Sequence, residues 1–191
     1  MPTLNTTELV HRILGPEIQD GDWCVDATAG NGHDTQFLAE RVGATGRVLA
    51  IDLQATAIQE TRRRLVARAL DRRCELVVGD HVGLAEMVPD QWVGRVALVM
   101  FNLGYLPGGD HGVITDTEST VKAVKAAIKI TRLGGIVSII AYPGHDGGSR
   151  EAQTLVEFVE GLDGKNFEVI RSETLLTLRP APFHLAIRRV G

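Results

Sequence analysis

Cysteine is nearly absent: Cys24 and Cys74 are the only two in 191 residues. Their number and spacing exclude a disulfide framework and fit no zinc site, so two buried thiols inside strands, and no metal, are expected. Long apolar runs are absent too, and nothing approaches the ~20 residues that a membrane span needs. Met1 to Asn5 holds no basic region leading into an apolar one, so no export signal is expected. The expected compartment is therefore cytoplasmic, or an organelle stroma. A surplus of positive charge is also missing, since 20 Lys and Arg face 24 Asp and Glu for a net charge of -4. That argues against coating nucleic acid by bulk attraction, although a local basic patch could still dock one folded RNA.

What is present is an ordinary globular composition, 44% hydrophobic and 23% charged, which supports a full core. The length suits one domain over residues 1–191. Short β-rich runs alternate with longer helical patterns, the signature of a mostly parallel α/β sheet with helices on both faces. A helix from about Thr7 to Leu14 precedes a strand at Trp23 to Ala27, and a helix at His33 to Val42 precedes a strand at Gly46 to Ile51. A helix from Ala55 to about Leu70 then leads to strands at Cys74 to Val78 and Val96 to Phe101. Thr115 and Glu118 have capping-box spacing for a helix starting near Asp116, with Val121, Val124 and Ile128 as its buried stripe. Gly134-Gly135 reads as the stop of that helix, before an apolar fifth strand at Ile136 to Ala141. Ser149 reads as the cap of a last helix. Phe167 to Leu178 and Phe183 to Arg189 close the chain as two strands. Five βα steps followed by such a hairpin predict a Rossmann-like class I methyltransferase sheet. Its seven strands would run in the order 3-2-1-4-5-7-6, with the last antiparallel.

The first strand ends at Asp26 and runs through Thr28 into Gly30-Asn31-Gly32, just before a helix. Glycines allow a sharp turn and close approach to a ligand. An acid at the head of the turn can orient the loop, or reach the amino-acid end of S-adenosylmethionine through water, and it would repel a pyrophosphate. Asp52 ends the second strand ~20 residues further on, where a ribose-binding acid belongs, with Gln54 beside it. Asp80 and His81 follow the third strand, where an acid can accept from an adenine amine. Asp26 alone also suits a loop-capping acid, and Asp80 a turn cap. All three at successive strand ends predict an S-adenosylmethionine site. The expected cofactor set adds Asp34, Thr35 and Asn102 to these residues.

The fourth strand ends in Phe101-Asn102-Leu103-Gly104-Tyr105-Leu106-Pro107-Gly108-Gly109-Asp110. Asn-x-x-Tyr resembles the acceptor motif of methyltransferases that modify amino groups on bases. An amide there accepts from the attacking nitrogen, and the ring stacks on the base. Methyl transfer from a sulfonium is an in-line displacement, so the protein must hold a neutral nucleophile. An alkyl amine titrates near ~10, so desolvation or a proton acceptor is needed. Tyr142, His145 and Asp34 are candidates, and His145 alternatively caps a turn. Asn102, Tyr105, Tyr142 and His145 form the expected catalytic set. Leu103, Gly104, Tyr105, Pro107, Gly108, His145 and Arg179 are the expected substrate contacts. Arg62, Arg63, Arg64, Arg68, Arg72 and Arg73 form a basic run that fits a solvated face or RNA contact. Arg179 and Arg188 are alternative phosphate contacts.

Asp26-Ala-Thr-Ala-Gly-Asn-Gly-His-Asp-Thr35, Phe101 to Asp110 and Gly144-His145 resemble the MnmM family, once catalogued as rRNA methylases. The resemblance covers nearly the whole chain. It implies a class I methyltransferase acting on the amine of 5-aminomethyl-2-thiouridine at the tRNA wobble position, with the anticodon stem-loop as partner; a homodimer is left open. One departure bears on substrate choice. The family carries an Asn- and Gln-rich stretch before Pro-Pro-Phe, where this chain reads Leu176-Thr-Leu-Arg-Pro-Ala-Pro-Phe183. The alternatives are a methyltransferase for another RNA base or a small amine and, more remotely, a nicotinamide-dependent oxidoreductase or a non-catalytic nucleotide-binding module.

Overall fold

The central strands are almost wholly buried, as a parallel sheet covered on both faces requires. A computed structural model describes residues 5–104, 117–144, 148–174 and 180–191. Its strands are β1 (Trp23–Asp26), β2 (Arg47–Asp52), β3 (Cys74–Val78), β4 (Val96–Leu103), β5 (Thr131–Ala141), β6 (Phe167–Glu173) and β7 (Phe183–Arg189). They form one sheet in the order β3-β2-β1-β4-β5-β7-β6. β1 to β5 pair in parallel, while β7 is antiparallel to both β5 and β6. The predicted class I methyltransferase topology is the one found.

Helices cover both faces: α1 (Thr6–Leu14), α2 (His33–Arg41), α3 (Ala55–Val66), α4 (Leu84–Met87), α5 (Thr117–Ile130) and α6 (Gly148–Glu160). Alternation along each strand decides what meets which helix. Cys24, Val48, Leu98 and Met100 pack with Val10 and Leu14 of α1, Phe37 and Leu38 of α2, and Leu65 of α3. Val25, Leu49, Val99, Phe101 and Leu103 pack on the other side with Val124 and Ala127 of α5 and Leu155 of α6. By the same parity Asp26 and Asn102 fall on the α1–α2 side. Leu103, an expected substrate contact, falls on the opposite one and is 1% exposed within the core.

Four sequence readings are corrected. α3 stops at Val66, where Ala69 takes a left-handed φ of 54° and the Leu70 N–H closes on the Leu65 carbonyl. Gly usually makes such a stop, so an alanine left it unsignalled. Gly134-Gly135 does not end α5. The helix ends at Ile130, and Gly134, at φ 77°, lies inside β5 where the pairing with β4 shifts register between Val96 and Leu98. Ser149 lies within the first turn of α6 and donates to the Pro143 carbonyl at 2.9 Å. Cys24 is buried as expected, whereas Cys74 is only partly covered. The Thr115–Glu118 capping box lies outside the described residues. No helix among those described is long and apolar enough to cross a membrane.

Candidate active site

The carboxyl ends of β1, β2, β3 and β4 place Asp26, Asp52, Asp80 and Asn102 along one edge of the sheet, where open α/β folds bind ligands. Asp26 is fully buried and turned into the protein. One oxygen accepts from the Thr28 N–H at 3.1 Å, and the other from the Thr35 hydroxyl at 2.6 Å. Burial, then the nearby Asp34 carboxylate, pushes its pKa up to about 7. Of its two sequence readings, the loop-orienting one matches this geometry. Thr35, at 0% exposure, serves the same internal bond.

The glycines answer to chain geometry. Gly30 has φ 52°, gives its N–H to Asp52 at 2.8 Å, and accepts from the Thr61 hydroxyl at 3.1 Å. Gly32, at φ 78°, lies so near α3 that a Cβ would stand 2.9 Å from Thr61 Cα. Arg64 of α3 braces the same turn, donating to the Asn31 carbonyl at 2.6 Å. Asp52 is half-buried, and its second oxygen accepts from the Gln54 N–H at 2.8 Å. Each oxygen spends one acceptor position on backbone and retains another.

Three observations suit an adenosyl amino acid. α2 begins at Gly32 without any side-chain cap, so its first N–H groups remain for an anion such as a carboxylate. Asp52 keeps acceptor capacity toward a diol. Beyond β3, Nε2 of His81 is buried without a hydrogen-bond partner among the described residues. That ring meets Phe101 edge-on, with centroids 6.0 Å apart, and burial lowers its pKa and favours the neutral form. Asp80 is exposed and accepts from the Val82 N–H at 3.0 Å, which is the turn-cap geometry.

Asn102 is held from two sides by the glycine-loop segment. Its backbone N–H donates to the Thr28 hydroxyl at 2.7 Å, and its side-chain amide donates to Asp34 at 3.3 Å. Asp34 is 4% exposed and uses its other oxygen on Nε2 of His11, at 2.6 Å. Tyr142 packs its ring on Gly104, where a Cβ would stand 3.2 Å from it. Burial raises the Tyr142 pKa, and the Asp34 charge acts in the same direction. The phenol therefore stays protonated, which suits a wall and donor better than a proton acceptor. Tyr105, Pro107, Gly108, His145 and Arg179 lie outside the described residues.

The arginines are divided. Arg63 pairs with Glu60 at 2.5 Å, Arg73 donates to the Ala39 carbonyl, and Arg62, Arg68 and Arg72 are exposed. Arg188 donates to Glu17 at 2.9 Å and to the Gly134 carbonyl at 3.1 Å. Sequence reasoning missed His11. Nothing in the local pattern of α1 marks it beyond its place between the buried Val10 and Leu14. No group of three His, Cys, Asp or Glu among the described residues could hold a metal.

The sheet order and the residues at its strand ends define a class I methyltransferase. The chain belongs to the family described as "Putative rRNA methylase", which matches residues 48–188. A crystal structure from Clostridium thermocellum bearing that same description is 35% identical, covers 100% of both chains, and superposes with a TM-score of 0.92. A Streptococcus mutans methyltransferase structure in complex with SAH is 29% identical over 98% of this chain and 99% of its own, at a TM-score of 0.86. A chloroplastic tRNA (mnm(5)s(2)U34)-methyltransferase of Arabidopsis thaliana is 39% identical over 82% of this chain. The chain spans 59% of that relative's length. These relatives agree with the MnmM resemblance read from the motifs, and they set aside the oxidoreductase alternative.

Proposed function

We propose that this chain transfers a methyl group from S-adenosylmethionine to the 5-aminomethyl group of a uridine or 2-thiouridine at the tRNA wobble position. The enzyme class is a methyltransferase and the cofactor is S-adenosylmethionine, which supplies an electrophilic methyl group when bound. The residues that would hold it are Asp52 toward the ribose, the uncapped start of α2 toward the carboxylate, and His81 near the base.

The observation that carries the acceptor reading is the double anchoring of Asn102 at the end of β4. Its amide nitrogen is committed to Asp34, so the carbonyl oxygen at the other end is the acceptor for an amine N–H. An alkyl ammonium has no lone pair until it sheds a proton, and its ordinary value is near ~10. The Tyr142 ring packed on Gly104 would desolvate the ammonium and so favour release of its proton, while the Asn102 carbonyl, fixed through Asp34, would orient the neutral amine. The exposed Arg62, Arg68 and Arg72 would add weak, salt-sensitive phosphate contacts.

Support for a wobble-uridine acceptor comes from the tRNA relative and the Phe101 to Asp110 motif. Mass spectrometry of tRNA nucleosides from a deletion strain tests it. Accumulated aminomethyl-uridine, with loss of the methylaminomethyl form, is the expected result. An unchanged nucleoside profile would instead point to another RNA base or a small amine, the outcome that the altered segment before Phe183 makes worth checking.

A further inference from the structure

We infer that His11, on the N-terminal helix, is a positioning residue for methyl transfer, acting through Asp34 on the amide of Asn102. The inference rests on the amine-acceptor reading above.

A carboxylate can only accept, so the 2.6 Å contact means that Nε2 of His11 carries the proton and donates it to Asp34. The imidazole is held at the angle this requires. It stacks on Phe37 with centroids 4.0 Å apart and planes 4° from parallel. The helix that carries it is well fixed. Asn5 and Glu8 form a reciprocal capping box at its start, and Val10 and Leu14 anchor it in the core. Asp34 sits in the first turn of α2, 5% exposed at its side chain, with one oxygen for His11 and the other for Asn102.

The division of that carboxylate is the point. Without His11, Asp34 can rotate about its side-chain torsions, and the 3.3 Å bond to Asn102 is the weaker of the two. The Asn102 backbone would remain on Thr28, but its amide could turn, exchanging a carbonyl acceptor for an NH2 donor against the amine. The same helix also contributes Val10 and Leu14 to the core cluster against which Tyr142 packs. α1 thus reaches the Asn102 side through Asp34 and shares a core with Tyr142, without supplying a reacting group.

The test uses full-length protein and compares His11→Ala, His11→Gln and Phe37→Leu. A glutamine amide can place an N–H donor near the position of Nε2, so it should restore the bond. His11→Ala is expected to lower kcat about 30-fold, the scale of a sub-ångström misplacement. KM for the aminomethyl-uridine RNA and the affinity for S-adenosylhomocysteine should stay within about twofold. His11→Gln should recover most of kcat, and Phe37→Leu should cost stability more than turnover. The side-chain amide NMR signals of Asn102, assigned with Asn102→Ala, should shift in His11→Ala and return in His11→Gln. Unmoved amide signals, or a His11→Gln variant as slow as His11→Ala, would overturn the inference. If wild-type protein leaves aminomethyl-uridine RNA unmethylated, the substrate reading fails, and the Asn102 signals alone decide the role of His11.

Discussion

The ends of β1 and β4 lie side by side, with Asp26 level with Met100, yet they hold their polar residues in opposite ways. At β1 everything is internal: Asp26 spends both oxygens on its own loop and has no exposed surface. At β4 everything is borrowed: Asn102 is fixed by Thr28 and Asp34, both supplied by the β1–α2 segment. The β1–α2 segment therefore organises itself and then organises Asn102, the residue proposed to meet the acceptor. Damage to the loop should reach both functions, whereas damage at the end of β4 should reach only one.

Asn102→Ala breaks the comparison most directly. It removes the acceptor group and leaves Asp26, Asp52 and the glycine turn intact. Turnover is expected to fall about 100-fold, the usual scale for losing one preorganised polar contact in a reacting site. Calorimetric affinity for S-adenosylhomocysteine should stay near wild type. A matching loss of cofactor affinity in a folded protein would mean that Asn102 belongs to the cofactor site.

Asp26→Ala should do the reverse and strike stability. It leaves the partly buried Thr28 N–H and the fully buried Thr35 hydroxyl without their partner, at an expected cost of about 2–3 kcal/mol. For a chain of this size that lowers the melting temperature by roughly 5–10 °C. Because Thr28 also holds Asn102, turnover should fall with it. An unshifted melting curve would show that the loop does not depend on its buried acid.

Asp52→Ala comes next. Its expected effect is a weakening of S-adenosylmethionine binding by about tenfold or more, near 1.4 kcal/mol. The effect should be confined to binding, since Asn102 takes no anchor from Asp52. Unchanged affinity by calorimetry would remove Asp52 from the ribose position.

The contrast between the two strand ends also explains what could be read from sequence. β3 and β7 have the predicted bounds, because apolar runs flanked by turn residues are local signals. The acids at successive strand ends were legible for the same reason. Contacts across the fold were not. His11 and Asp34 are 23 residues apart, and Asn102 and Asp34 are 68 apart. Only the packing of α1 and α2 on one sheet face brings them together. Gly134 misled because a bulge and a helix stop both call for a positive φ. Leu103 misled because it lies in the acceptor motif, while strand parity turns it into the opposite core.

The smallest expected effect concerns the charge on Asp26. Its folded pKa is pushed up to about 7, by burial first and then by Asp34, from an ordinary value of 3.8. The native state therefore holds a proton more readily than the unfolded chain does. The stability this contributes is fully present below about 3.8 and is lost as pH rises through about 7. Asp26→Asn carries no such titration and mimics the protonated acid in shape. Between pH 6 and pH 8, cofactor-free wild-type protein should lose on the order of 1 kcal/mol of stability relative to Asp26→Asn. Denaturant melts at the two pH values measure it. A constant difference would mean that Asp26 keeps one charge state across the range, so that its two hydrogen bonds outweigh burial. The self-contained end of β1 would then be held by a permanent carboxylate.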